Sequence, residues 1–165
     1  FLPALYGGGA ERTMLSLVEG VAQRGYSVDL VQAKAEGEYM DQIPDAVRLV
    51  DLSQGRDLNR CLTIRCVPSL VRYLRKERPH AMLSALSRAN FAAIVGRAMS
   101  RVPTRLVVNE QNHFSRRTLK SPKRLERLWF LFAQRIYPGA DLVVVVSEGV
   151  VEDVVEVVGL PRDLV

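Results

Sequence analysis

Apolar and polar positions along the 165-residue chain follow two alternating rhythms. Short runs rich in valine and leucine stand at residues 27–33 (SVDLVQA), 47–52 (VRLVDL), 81–86 (AMLSAL), 105–109 (RLVVN) and 142–146 (LVVVV). Their length and composition predict strands buried on both faces. Between them the spacing lengthens to a helical period. Met14, Leu17, Val18 and Val21 predict the inward stripe of a first helix, which Gly25 stops. Residues 60–76 predict a second helix that Pro68 starts or kinks. A third is expected over 88–99, a fourth over 122–136 with Pro122 at its start, and a last over 147–157, opened by a Ser147–Glu148 cap signal.

Strand and helix patterns in strict succession predict an α/β fold: a Rossmann-like, doubly wound, mainly parallel sheet with helices on both faces. Phe1 and Leu2 read as the tail of a first strand, and residues 159–165 as the start of a further extended segment. The chain is therefore expected to be one domain, 1–165, of a larger protein whose second domain follows Val165. No internal repeat interrupts the pattern. The longest irregular stretch, 110–121, follows a strand, and long ordered loops in such folds are often functional.

Ligands of doubly wound sheets gather at the carboxyl ends of the strands. The stretch LYGGGAERTML (5–15) occupies such an end, between the first strand and the first helix. Gly7, Gly8 and Gly9 permit a tight turn and leave helix-start amides bare, an arrangement suited to an anion. It is not the dinucleotide fingerprint, because Arg12 stands where a third glycine is needed, and no Gly-Lys-Ser/Thr completes a P-loop. A tight turn without a ligand remains the alternative, with Glu11 merely balancing the positive helix end. Ser87, Arg88 and Asn90 also follow a strand, and either contact a ligand or, for Ser87, cap a helix. His113 lies in the 110–121 loop among Glu110, Gln111, Asn112 and Ser115. That density of hydrogen-bonding groups suits sugar hydroxyls, each of which donates and accepts. His80, beside Pro79 at a strand start, is read as structural.

Charge widens the field. The net charge is +5 and the isoelectric point about 9.6, which suits phosphorylated ligands, nucleic acid or an anionic membrane surface without choosing among them. Nucleic acid is disfavoured by the absence of basic residues interleaved with aromatics on a strand face and of any recognised module. Much of the positive charge falls in residues 115–136 (SRRTLKSPKRLERLWFLFAQRI), where Leu125, Leu128, Trp129, Phe132 and Ile136 share one helical stripe. Phe130 and Leu131 fall outside it, among Arg116, Arg117, Lys120, Lys123, Arg124 and Arg127. Such a patch can rest on anionic lipid, or be a solvated basic face with Phe130 and Leu131 tucked under a loop. No run of eighteen uncharged apolar residues exists to span a bilayer. Cys61 and Cys66 point to different helix faces and complete no zinc pattern, so both are expected to be reduced cytosolic thiols.

Several short motifs follow one another along the chain: Gly-Gly-Ala-Glu-Arg at 8–12, Arg-Gly-Tyr-Ser-Val at 24–28, Val-Asn-Glu-Gln-Asn-His at 108–113, Tyr-Pro-Gly-Ala-Asp at 137–141, and Val-Ser-Glu-Gly-Val at 146–150 with Asp153 after it. In this the chain resembles, over nearly its whole length, the amino-terminal half of family 4 glycosyltransferases, which are retaining, nucleotide-sugar-dependent enzymes of the two-domain GT-B fold. The resemblance implies a catalytic contact from His113 to the transferred sugar, and the Gly7–Gly9 turn with Glu11 near the donor diphosphate or sugar. Ser87, Asn90, Glu110 and Asn112 are then expected at the sugar or acceptor. It further implies a hexosyl transfer to a saccharide or lipid-linked acceptor of cell-envelope polysaccharide synthesis, on the inner face of the membrane. Neither a metal nor another cofactor is implied. The nucleotide and a pair of glutamates would belong to the second domain, leaving this half inactive alone. A non-enzymatic Rossmann-like domain binding a nucleotide or phosphorylated metabolite is the competing expectation.

Overall fold

The structure is a computed structural model that describes residues 1–53, 55, 60–111, 113 and 132–165. Helix α1 (Gly9–Gln23) leads to β1 (Asp29–Gln32) and β2 (Arg48–Asp51), then to α2 (Val67–Glu77), β3 (Ala81–Ala85), α3 (Ser87–Ser100) and β4 (Arg105–Glu110). After a helical stretch at 132–136 come β5 (Leu142–Val145) and α4 (Glu148–Glu152), which continues as a π-helical turn over Asp153–Val158. Every strand pairing is parallel: β1 with β2, and β3 with β4 with β5.

The amino-terminal residues join these two groups. Leu2 donates its N–H to the Val31 carbonyl at 3.0 Å and accepts from the Ala33 N–H at 3.0 Å. On the other side Ala85 N–H reaches the Phe1 carbonyl at 3.2 Å, and the Phe1 amine the Leu83 carbonyl. Phe1 and Leu2 thus fill the centre of one continuous order, β2–β1–(1–2)–β3–β4–β5. Counted along the chain this is 3-2-1-4-5-6, the doubly wound nucleotide-binding order. The expectation that Phe1–Leu2 runs as a strand agrees with this placement.

Side-chain alternation then sorts the core into two layers. Leu2, Leu30 and Ala85 join Met14, Leu15 and Val18 of α1 on one face. Phe1, Val31, Met82, Leu106, Val108 and Val143 face α2, α3 and α4 on the other. Helices therefore cover both faces, as the strand–helix succession predicts.

Several details differ from the expectations. The buried stripe of α1 is Ala10, Glu11, Met14, Leu15 and Val18, while Leu17 and Val21 are 46% and 39% exposed. At 100° per residue the two sets lie side by side, and only packing on the sheet chooses between them. β2 is a partly exposed edge strand rather than one buried on both faces. The second helix is a 3₁₀ segment (Arg60–Cys66) followed by α2, with Pro68 in the first turn, where proline lacks no needed donor. Residues 159–165 form no extended segment: Gly159 ends the π turn at φ 77° and Arg162–Leu164 make a 3₁₀ turn. Cys66 is a free, buried thiol. Of the expected fourth helix, 132–136 is helical and the rest lies outside the described residues. Among the described residues no helix is long and apolar enough to cross a membrane.

Candidate functional site

Three chain corners stand at the carboxyl edge of the sheet, around the point where strand order reverses. The first is the glycine turn. Gly7 sits at φ 102°, a conformation glycine reaches without penalty, and Gly8 occupies the N-cap position of α1 with no side-chain cap. A loop at 34–39 clasps this turn from outside. Leu5 donates to the Glu36 carbonyl at 2.9 Å, Tyr39 N–H donates back to the Leu5 carbonyl at 3.3 Å, and Tyr39 Oη reaches the Gly7 carbonyl at 3.3 Å. Tyr6 Oη donates to the Glu36 carboxylate, which Lys34 also meets at 2.7 Å. Gly37, at φ 130°, makes the approach possible, since a Cβ there would overlap the Leu5 carbonyl.

The helix opening is not bare. The Glu11 carboxylate folds back over Gly8, where a Cβ would collide with it, and Glu38 lies 2.8 Å from where a Gly7 Cβ would be. Gly9 has open space around it. Glu11 thus sits in the first turn of α1, 8% exposed, where its charge complements the positive helix end. Beneath α1 on the same edge, Gln32 is fully buried, and neither its amide nitrogen nor its oxygen has a hydrogen-bond partner among the described residues.

The second corner joins β3 to α3. Leu86 holds φ 77°, ψ 130°, which costs a branched, bulky residue on the order of 1–3 kcal/mol. Leu86, not Ser87, is the N-cap of α3, and no side chain caps it. The expectation that Ser87 caps the helix is thereby corrected: its hydroxyl turns across to β4 and donates to Glu110 Oε1 at 2.9 Å.

The third corner is the end of β4. Glu110 is fully buried, as are Asn90 and Ser84, with Ser87 and Tyr137 nearly so. Tyr137 Oη donates to Glu110 Oε2 at 2.6 Å, and Asn90 Nδ2 approaches the same oxygen at 3.5 Å. Asn90 also donates to the Asn109 carbonyl at 2.8 Å and accepts from Ser84 Oγ at 2.6 Å. One carboxyl group therefore ties together α3, β4 and the 3₁₀ turn Tyr137–Gly139, and Asn90 carries the connection on to β3. Just beyond, the half-buried His113 lies against the start of α4: its Cε1 is 3.5 Å from where a Gly149 Cβ would be. Ser147 holds the N-cap position of α4 but makes no side-chain capping bond, contrary to the cap signal.

Ser87, Asn90 and Glu110 are thus brought together, with their polar atoms committed to one another inside the domain. Gly7, Gly8, Gly9 and Glu11 form one corner, and His113 belongs to another on the same edge. Asn112 and the basic patch of Arg116, Arg117, Lys120, Lys123, Arg124, Arg127 and Phe130 lie outside the described residues. Sequence reasoning missed Ser84, the backbone of Leu86 and the role of Tyr137. Only Tyr137 carried a signal, in its Tyr-Pro-Gly-Ala-Asp motif. The aspartate of that motif, Asp141, works at the opposite edge, where Arg97 holds it at 2.9 Å and it accepts from Leu106 N–H at 2.7 Å.

No curated protein matches the chain. The sequence profile of one family, described as Glycosyltransferase Family 4, matches residues 7–165, from the glycine turn to the last residue.

Proposed function

The chain belongs to glycosyltransferase family 4, and from that premise we propose that it is the acceptor-side half of a two-domain GT-B enzyme. The enzyme moves a hexose, with retention, from a nucleotide sugar to a saccharide or lipid-linked acceptor. His113 meets the transferred sugar. The family match across the whole carboxyl edge carries this reading, and the convergence of the glycine turn, the β3–α3 corner and His113 on that edge supports it.

The carboxylates refine what each corner does. With Glu11 folded over Gly8 and Glu38 beside Gly7, a second dense negative charge is repelled at that spot, whereas a sugar hydroxyl finds ready acceptors. The turn then receives the hydroxyls of the sugar, and Gly9 leaves the space for the ring. The diphosphate and nucleotide belong to a partner lobe. Glu110, Ser87 and Asn90 act from beneath, through the backbone they hold. The basic segment at 116–127, read from sequence, docks the enzyme on the cytoplasmic leaflet beside its acceptor.

The test is transfer by the full-length enzyme with a panel of nucleoside-diphosphate sugars, followed as acceptor-dependent release of nucleoside diphosphate. His113→Ala is expected to lower kcat on the order of 10²-fold, as loss of one group aimed at developing charge does. A nucleotide sugar that binds but is never transferred would favour the non-enzymatic domain.

A further inference from the structure

We propose that Glu110 is a positioning residue that locks the β3–α3 corner to the root of the loop carrying His113, and that the strained backbone of Leu86 is held in place by this lock. For the transfer reaction this rests on His113 meeting the sugar, as proposed above.

Two independent observations converge. Leu86 adopts φ 77°, ψ 130° although it has a side chain that disfavours positive φ. Such a conformation persists only where its surroundings over-determine it. The surroundings here are specific. Directly after Leu86, Ser87 Oγ is anchored on Glu110 Oε1 at 2.9 Å, and one turn on, Asn90 bridges to the Asn109 carbonyl at 2.8 Å. Releasing Leu86 to an ordinary conformation would swing Ser87 away from Glu110 and break the connection. The second observation is the burial of a complete carboxyl group with hydroxyl donors on both oxygens. A buried acid is costly, and a hydrophobic residue of similar size would serve packing as well or better. What the acid adds is geometry: four segments from different parts of the chain are fixed at the last residue of β4. His113 follows three residues later, its Cε1 3.5 Å from where a Gly149 Cβ would stand at the start of α4. The β3–α3 corner and the end of β4 that leads to His113 are thereby held together.

The decisive variant is Glu110→Gln, which is expected to lower kcat of the full-length enzyme about 10- to 100-fold with KM within about twofold, the effect of misplacing a reacting group by an ångström, and to lower the melting temperature. Leu86→Gly takes up the corner's conformation without strain, so alone it is expected to leave kcat within about threefold of wild type, and added to Glu110→Gln it is expected to restore part of the lost kcat, because nothing then drives the corner out of place. An independent readout uses the chain's two histidines, His80 and His113. In Glu110→Gln the His113 imidazole resonance should move while that of His80 stays, and in Leu86→Gly neither should move. Glu110→Gln with an unmoved His113 resonance and wild-type kcat would overturn the proposal. If the wild-type enzyme transfers no sugar at all, the glycosyltransferase reading fails, and the His113 resonance still decides whether Glu110 positions that loop.

Discussion

At the scale of single residues, composition exposed some of the site and hid its logic. The cluster of amides, carboxylates and a histidine after β4 marked a polar loop, so His113 and Glu110 stood out in the sequence. What Glu110 does was not legible, because its partners Ser87 and Tyr137 are 23 and 27 residues away. Leu86 was hidden for a stronger reason: leucine predicts ordinary backbone, and only the folded surroundings impose φ 77°. Cysteine was read more simply. Cys66 is 1% exposed, and burial pushes its thiol up from 9.0 to about 12. A thiol reagent attacks the thiolate. In a Cys61→Ser background, Cys66 is therefore expected to stay unreacted with a disulfide reagent at pH 8 until urea unfolds the chain, so labelling and unfolding should share one midpoint. Since the folded pKa lies above the unfolded one, the stabilisation it reflects is complete below pH 9 and is lost as pH rises towards 12. Rapid labelling of the native protein would show that the α2 entry opens locally.

At the scale of elements, period and punctuation predicted which segments fold and in what order, and failed where a neighbour decides. β2 has the same valine-rich pattern as β4, yet lies at the sheet edge, because position in the sheet follows from topology and not from local composition. What holds this edge is a charged network at the amino ends of β1 and β2. Arg48 forks onto Asp29, with Nε at 2.8 Å, and reaches Glu77 of α2 at 3.1 Å. Tyr73 Oη donates to Asp29 at 2.7 Å. The hydrogen bond from Arg48, more than that from Tyr73, holds the Asp29 carboxyl below its usual 3.8. A carboxyl depressed by folding stabilises the fold above its unfolded pKa and loses that contribution as pH falls through the folded value. Asp29→Asn is thus expected to lower the melting temperature at pH 7, and the difference from wild type is expected to shrink as pH falls through the lowered native value of the Asp29 carboxyl. Because Arg48 is half exposed, the pH 7 difference should shrink in high salt without vanishing, since Tyr73 still packs there. Equal melting curves at pH 7 would remove the network from the list of things that fix β2.

At the scale of the whole molecule, the strand order places the described candidate groups at one edge of the sheet, and charge is distributed unevenly along the sequence. The described corner beside Gly7 is acidic, with Glu11, Glu36 and Glu38 close together. Along the sequence, the 23 lysines and arginines, set against 18 aspartates and glutamates, are densest at Arg116, Arg117, Lys120, Lys123, Arg124 and Arg127, which lie outside the described residues. On the membrane-docking reading proposed above, a segment with this density of positive charge is drawn to an anionic surface. Each basic residue near such a surface is worth about 1 kcal/mol, and the attraction decays within about 10 Å at 0.1 M salt. Phe130, next in sequence to Trp129, would add to such docking an apolar contact that salt does not screen. The full-length protein is therefore expected to pellet with vesicles rich in phosphatidylglycerol and to remain in solution with phosphatidylcholine alone. Changing the six basic residues to serine should abolish pelleting, and raising salt to 0.5 M should weaken it for the native sequence. Phe130→Ser alone should leave the salt dependence intact while lowering the bound fraction that survives high salt. Equal pelleting on neutral and anionic vesicles would overturn electrostatic docking by this segment.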